Sequence, residues 1–263
     1  MRLGAVSYLN VRPLVQGLVD DPSVALRFDV PSVCAALLAR GEIDLGMVPS
    51  ITYADRAGDR IVPGMCIGSD GPVDSVAIYS RKPLRDVRSI ALDTSSRTSA
   101  ALTRILCTRA WHIAPAFITH APDLDAMLAA ADAALLIGDP ALFLDHRSAG
   151  ADKTDLGVAW TTMTGLPFVW AFWSGPAAGP VTGEVVGRLE RARDEGVRAT
   201  DEIADAYCAG DRPRQAVARR YLREHMRYNL DARAMDGLRA YYREARALGL
   251  IAGEPEVRLF PSS

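Results

Sequence analysis

Three times in this chain a short apolar run ends in polar residues and gives way to a helix start. Gly4-Ala5-Val6-Ser7-Tyr8-Leu9-Asn10-Val11-Arg12-Pro13-Leu14 does so first, with Ser7 and Asn10 ahead of a proline where a helix can begin. Asp93-Thr94-Ser95-Ser96-Arg97-Thr98-Ser99 and Leu136-Ile137-Gly138-Asp139-Pro140 repeat the design. In α/β domains this is how side chains and backbone N–H groups meet a small ligand at the carboxyl ends of strands. Three such mouths point to one shared pocket.

The segments between them alternate. Residues 3–8 read as strand, 13–19 as a short helix and 25–30 as a second strand. Pro31-Ser32 opens a helix that Gly41 closes, and residues 42–48 alternate with period two, placing Ile43, Leu45 and Met47 on one face. This succession predicts a mostly parallel sheet. A second α/β unit follows, with strands at 75–79, 89–92, 116–119 and 133–137 and helices at 97–111 and 122–131. The aromatic run 168–173 reads as core and hinge. Beyond it the pattern is helical, at 183–197, 200–209, 214–228 and 231–248, with no new strand. Those helices must pack on a sheet already built. The expected fold is therefore α/β and bilobal: residues 1–79 with 168–263 form one lobe, 80–167 the other, and a ligand cleft lies between them. Two crossings between two lobes is the architecture of solute-binding proteins.

Bulk properties narrow the function. With 263 residues, 49% of them apolar and 24% charged, the chain can bury a large core. A net charge of -2 gives no electrostatic ground for nucleic acid or an anionic membrane as partner. No apolar run reaches the ~18 residues of a membrane-spanning helix. Met1-Arg2 leads straight into the first strand without a hydrophobic leader, so a cytoplasmic location is expected. Cys34, Cys66, Cys107 and Cys208 are widely spaced, as free buried thiols in a reducing compartment would be. His112, His120, His146 and His225 have no metal-ligand spacing, and Gly-x-Ser-x-Gly, Gly-x-Gly-x-x-Gly and P-loop motifs are missing.

The candidate chemistry sits at the mouths. Ser95 or Ser96 can cap the helix that follows, whose first N–H groups are unpaired donors. With the helix dipole and Arg97 this makes a ready carboxylate site, although plain capping accounts for the local pattern too. Asn10 can both donate and accept, which suits a hydroxyl or a carboxylate and equally suits a turn. Asp139 and Asp93 are the acids placed at mouths, and either can merely cap a helix.

Val6-Ser7-Tyr8-Leu9-Asn10 with Arg12-Pro13-Leu14, then Val48-Pro49-Ser50, Asp70-Gly71-Pro72-Val73 with Ser75, Ser96-Arg97-Thr98-Ser99 and Ile137-Gly138-Asp139-Pro140-Ala141-Leu142 together resemble the chorismate dehydratase family of the futalosine route to menaquinone. The resemblance runs in order over nearly the whole chain. It implies a periplasmic-binding-protein-like type II fold and a dehydration of chorismate to 3-(1-carboxyvinyloxy)benzoate that needs no cofactor and no metal. It also implies that the substrate's own enolpyruvyl carboxylate can serve as base. Catalytic roles then fall to Asn10, which positions the ring or its hydroxyl, to Ser96, and to Asp139, which assists departure of hydroxide as water. Arg97, Thr98 and Ser99 would join Ser96 in holding a carboxylate, while Ser7, Ser50, Gly71 and Gly138 line the walls. Two other readings stay open. One is the 1,4-dihydroxy-6-naphthoate synthase of the same route, whose histidine has no evident counterpart here. The other is a non-catalytic small-anion-binding protein. The sequence leaves monomer and dimer equally open.

Overall fold

A computed structural model describes residues 1–261. The chain opens with β1 (Arg2–Val6), a 3-10 turn over Leu9–Val15, β2 (Ala25–Asp29), α1 (Pro31–Ala39), β3 (Leu45–Pro49), a second 3-10 turn over Ser50–Asp55, β4 (Asp59–Ile61) and β5 (Ile67–Ser69). It then crosses to β6 (Val76–Ser80), β7 (Ser89–Asp93), α2 (Arg97–Arg109), β8 (Ala116–His120), α3 (Leu124–Ala130), β9 (Ala133–Ile137), α4 (Gly138–Leu142) and β10 (Asp152–Asp155). Helix α5 (Leu156–Thr164) carries it back to β11 (Phe168–Pro176). There follow α6 (Gly183–Arg198), α7 (Thr200–Tyr207), α8 (Arg212–Arg220), a π turn over Tyr221–His225, β12 (Met226–Arg227) and α9 (Ala232–Ala247).

Two sheets result. The first has the order β12-β5-β11-β3-β1-β2, with β4 also pairing β11. Its β1, β2 and β3 are parallel, as the alternation predicts, while β11 runs antiparallel to β3, β4 and β5. The second sheet has the order β10-β6-β9-β7-β8, parallel at β7, β8 and β9 and antiparallel at β6 and β10. Leu3, Leu45 and Met47 are wholly buried in the first sheet, and Ile90, Leu135 and Ala134 in the second.

Several expectations change. The turn comes earlier than 13–19 and is 3-10, over Leu9–Val15 with Pro13 inside it, and Gly17 at a φ of 74° stops it from running on. The strand expected at 75–79 is β6, and it pairs with β9 and β10, so the chain leaves the first sheet before residue 76 rather than near 80. The aromatic run is core as expected, but as β11 it is also an inner strand of the first sheet. The helix read over 214–228 ends at Arg220, unwinds through the π turn and adds β12 to β5, so the C-terminal region does contribute a strand.

The crossings press on each other. The Asp155 carboxylate accepts from the N–H groups of Val73 at 3.1 Å and Asp74 at 2.7 Å, and caps α5 by accepting from Val158 N–H at 3.0 Å. A Cβ on Gly157 would fall 2.4 Å from the Gly71 carbonyl oxygen, so only glycine allows this approach. Asp74 itself adopts a left-handed φ of 57°. Its carboxylate meets Lys153 Nζ at 3.1 Å from the second sheet, and Arg220 at 3.2 Å and His225 Nδ1 at 3.1 Å from the C-terminal region.

Candidate active site

Between the sheets lies a narrow cavity that opens to solvent. From the first sheet it takes Tyr8, Asn10, Pro49, Ile67 and Trp170; from the second Val76, Ser96, Thr98, Ser99 and Gly138. Among the described residues no charged side chain lines it. This is an apolar slot with a few convergent polar groups, the usual form of a small-molecule site.

The polar end is the start of α2. Ser96 is the cap and its Oγ accepts from Ser99 N–H at 3.2 Å, which leaves the N–H groups of Arg97 and Thr98 without a helical acceptor. Ser96 Oγ also donates to Ser99 Oγ at 2.8 Å. These hydroxyls and N–H groups, at the positive end of a 13-residue helix, form an uncharged cradle for an anionic oxygen. The cradle is braced from the opposite lobe. Thr98 Oγ1 stands 3.4 Å from Ser50 Oγ and accepts from Ile51 N–H at 3.3 Å. Tyr241 OH donates to the Thr98 carbonyl at 3.0 Å, and Tyr242 OH to the Ser50 carbonyl at 2.8 Å.

Asn10 faces this cradle from the first loop, and its Oδ1 is buried with no partner among the described residues. Such an orphan acceptor is costly unless a ligand donates to it. Beneath it, Tyr221 OH and Ser75 Oγ are 2.7 Å apart. Across the slot, Trp170 Nε1 donates to Ser69 Oγ at 3.1 Å, which fixes the indole plane against the cavity.

Five of the residues read from the sequence therefore line the cavity: Asn10, Ser96, Thr98, Ser99 and Gly138. The other five are near it but turned elsewhere. Arg97 points outward to Asp55 at 3.3 Å, with both side chains more than half exposed. Ser50 spends its hydroxyl on Thr98. Gly71 lies at a crossing, donating to Thr161 Oγ1 at 3.0 Å. Ser7 presents only its carbonyl, which accepts from Tyr207 OH at 3.1 Å. Asp139 sits behind Gly138, half-buried, accepting from Leu9 N–H at 3.1 Å and contacting Tyr207 OH. Burial pushes its pKa above the usual carboxylate value, against the pull of Tyr207, Leu9 N–H, Arg12 and Arg214.

Asp93 is also raised by burial, although Ser95 donates to its Oδ1 through both N–H, at 2.8 Å, and hydroxyl, at 2.6 Å. The backbone N–H of Ile137 pulls the same way as Ser95, and burial outweighs both. The sequence reading gave Tyr8, Trp170, Tyr221, Tyr241 and Tyr242 no role in the site. The tyrosines were legible only as members of apolar helix stripes or strand ends. All four cysteines are free and buried. Among the described residues no cluster of His, Cys, Asp or Glu is arranged to hold a metal ion, and no helix is long and apolar enough to cross a membrane.

Comparison with known proteins agrees with this geometry. The chain resembles the solved structure of protein AF1704 from Archaeoglobus fulgidus, with a TM-score of 0.74 at 18% identity, over 95% of this chain and 98% of that one. It also resembles the CA3427 gene product of Candida albicans, which has the generic periplasmic binding protein fold, with a TM-score of 0.68 at 10% identity over 96% and 90% of the two chains. At these identities the likeness establishes the fold: two α/β lobes of the periplasmic-binding-protein kind. In sequence it is 31% identical to a chorismate dehydratase of Thermus thermophilus, over 94% of this chain and 95% of that relative. A family model described as menaquinone biosynthesis matches residues 1–247, and the chain belongs to that family.

Proposed function

We propose that this protein is a hydro-lyase that dehydrates chorismate to 3-(1-carboxyvinyloxy)benzoate. The observation that carries this reading is the 31% identity to a chorismate dehydratase over nearly the whole of both chains. The cavity supports it. Chorismate is a doubly anionic cyclohexadiene whose ring becomes planar only on aromatisation, and the slot offers Ile67 and Trp170 for the ring and the α2 start for a carboxylate.

The reaction removes the proton of ring C3 and the hydroxyl of C4. The C3–H electrons become the new ring double bond as the C4–O bond breaks, and the leaving hydroxide departs as water after taking up the proton removed from C3, which the substrate's enolpyruvyl carboxylate carries to it. Aromatisation drives the step, so the protein's work is to bind, orient and exclude bulk water. The enolpyruvyl carboxylate of the substrate takes the C3 proton, which fits a cavity without a histidine or an ionised acid among its lining residues. Asn10, with its free Oδ1, accepts from the C4 hydroxyl and holds the ring in register. Ser96, Thr98 and Ser99, with the α2 N–H groups, hold the ring carboxylate. The two lobes, divided at the crossings before residue 76 and at 156–167, close over the substrate.

The test is direct. Purified protein is incubated with chorismate and a chelator, without added cofactor, and the products are followed by chromatography and mass spectrometry. Loss of one water to the aromatic enol ether is the expected result. Unchanged chorismate in the presence of folded protein would overturn the reading.

A further inference from the structure

The first loop of the site is gripped from behind by a three-member chain that has one hydrogen too few if every acid is ionised. Tyr207 Oη lies between two acceptors, the Ser7 carbonyl at 3.1 Å and Asp139 Oδ2 in close contact. A phenol carries one hydrogen. With Asp139 ionised, that hydrogen serves either the carboxylate or the carbonyl, and one contact is left as two facing lone pairs. With a proton on Asp139 Oδ2, the chain closes: the acid donates to Tyr207, and Tyr207 donates to the Ser7 carbonyl. Asp139 Oδ1 remains free to accept from Leu9 N–H at 3.1 Å. The Asp139 carboxyl, the Tyr207 hydroxyl and the Ser7 carbonyl are then all satisfied.

The charged neighbours do not overturn this assignment, because burial of Asp139 outweighs the pull of Arg12 and Arg214 on it. The Arg12 guanidinium stacks over Phe28 at 4.3 Å and Tyr207 at 5.3 Å. Arg214 pairs with Asp211 at 3.5 Å and stacks on Phe143 at 5.2 Å. The other titratable groups facing Asp139 are Tyr8, Cys208 and Tyr221, all neutral side chains whose own ionisation burial disfavours.

We infer that Asp139 is a positioning residue that works as a neutral acid, tying the second lobe to the Ser7–Asn10 loop through Tyr207 and so aiming Asn10 into the cavity. It grips Leu9, the residue next to Asn10, while its neighbour Gly138 touches Tyr8, the residue next to Ser7. Both grips join the end of β9 to the end of β1, and they exist only when the lobes are together. Protonated Asp139 thus favours the closed cleft, and ionised Asp139 loosens it. The inference concerns how the site proposed above is held, and its kinetic readout rests on that reading.

The decisive comparison is Asp139→Asn against Asp139→Ala. Asparagine keeps an acceptor for Leu9 N–H and has a donor for Tyr207, so it copies the neutral acid. Alanine keeps neither. The Ala variant should lose about tenfold or more in kcat/KM, the scale of one or two lost hydrogen bonds, and the Asn variant should recover most of it. Wild-type kcat/KM should fall as rising pH ionises Asp139, and that fall should be missing in Asp139→Asn. Asparagine as inactive as alanine, with melting temperature kept, would mean that the proton itself is transferred, and would overturn the inference. Identical pH profiles for wild type and Asp139→Asn would overturn it as well. A readout independent of substrate is hydrogen exchange at the Leu9 amide, which should speed up about tenfold in Asp139→Ala and not in Asp139→Asn. If the wild type leaves chorismate unchanged, the exchange comparison still decides the role of Asp139, and only the proposed reaction fails.

Discussion

The ring of Tyr8 occupies the space that a side chain on Gly138 would need. A Cβ built there would lie 2.6 Å from two ring carbons, and Gly138 holds a φ of 65° that suits no other residue well. The contact joins the two lobes at the edge of the cavity. Gly138→Ala should therefore cost about 1–2 kcal/mol of stability from backbone strain and also push the lobes apart. Chemical denaturation and steady-state kinetics together check this, with kcat/KM expected to fall more than about tenfold, beyond what the stability loss explains.

Asn10 carries the first loop's chemistry. Replacing it with alanine removes the orphan acceptor, so the free protein should hold its stability within about 1 kcal/mol while kcat drops by about a hundredfold. Full turnover in Asn10→Ala would place the reacting ring elsewhere.

Asp74 ties the two crossings to the C-terminal helices. Burial works to raise its pKa, but Lys153, His225 and Arg220 outweigh it and hold the carboxyl below its usual range. Its contribution to stability is present above the ordinary carboxylate pKa and is lost as pH falls through the lowered value. Asp74→Asn keeps a residue that tolerates the left-handed backbone and removes only the charge. Urea unfolding at neutral pH should show a loss of about 1–2 kcal/mol, and the gap from wild type should close on acidification. Asp93, Asp139 and Asp155 have the opposite sign. Burial raises each, so what they contribute is present at low pH and lost as pH rises through their elevated values.

Trp170 lines the cavity, whereas Trp160 and Trp173 are wholly buried in the core. Adding chorismate to the protein should change its tryptophan emission, and Trp170→Phe should remove most of that change. The variant also loses the bond to Ser69, so the substrate should bind about threefold to tenfold more weakly. An emission change that survives in Trp170→Phe would put the ligand outside this cavity.

What the sequence revealed follows from range. Strand ends and helix starts are local patterns, and so Asn10, Ser96, Thr98, Ser99 and Gly138 were legible as mouth residues. The side on which a side chain emerges is not local. Arg97 and Thr98 are neighbours on α2, about 100° apart around the helix, and one reaches Asp55 while the other reaches Ser50. Charge at a helix start thus suggested an anion partner for a residue that faces away. The crossings were misread for a related reason. Asp152–Asp155 is a polar edge strand with no apolar alternation, and Gly71, which the resemblance placed on a wall of the pocket, lies against Gly157, 86 positions away in the chain. The bracing by Tyr241 and Tyr242 depends on α9 packing beside the first sheet, which no short pattern encodes.

The antiparallel strand β11 has a consequence for how the molecule is made. It inserts between β3 and β5, yet it is separated from them in the chain by the whole of the second sheet. The N-terminal lobe emerges first and cannot be completed, because its inner strand has not been synthesised. The second sheet, drawn from the continuous stretch 76–155, needs nothing from later in the chain for its own strand pairing. The pairing order therefore need not follow the synthesis order: the second sheet has all its strands by residue 155, whereas the β3 edge has no partner on that side until residue 176 is made. A chaperone or a pause in translation would act on that interval.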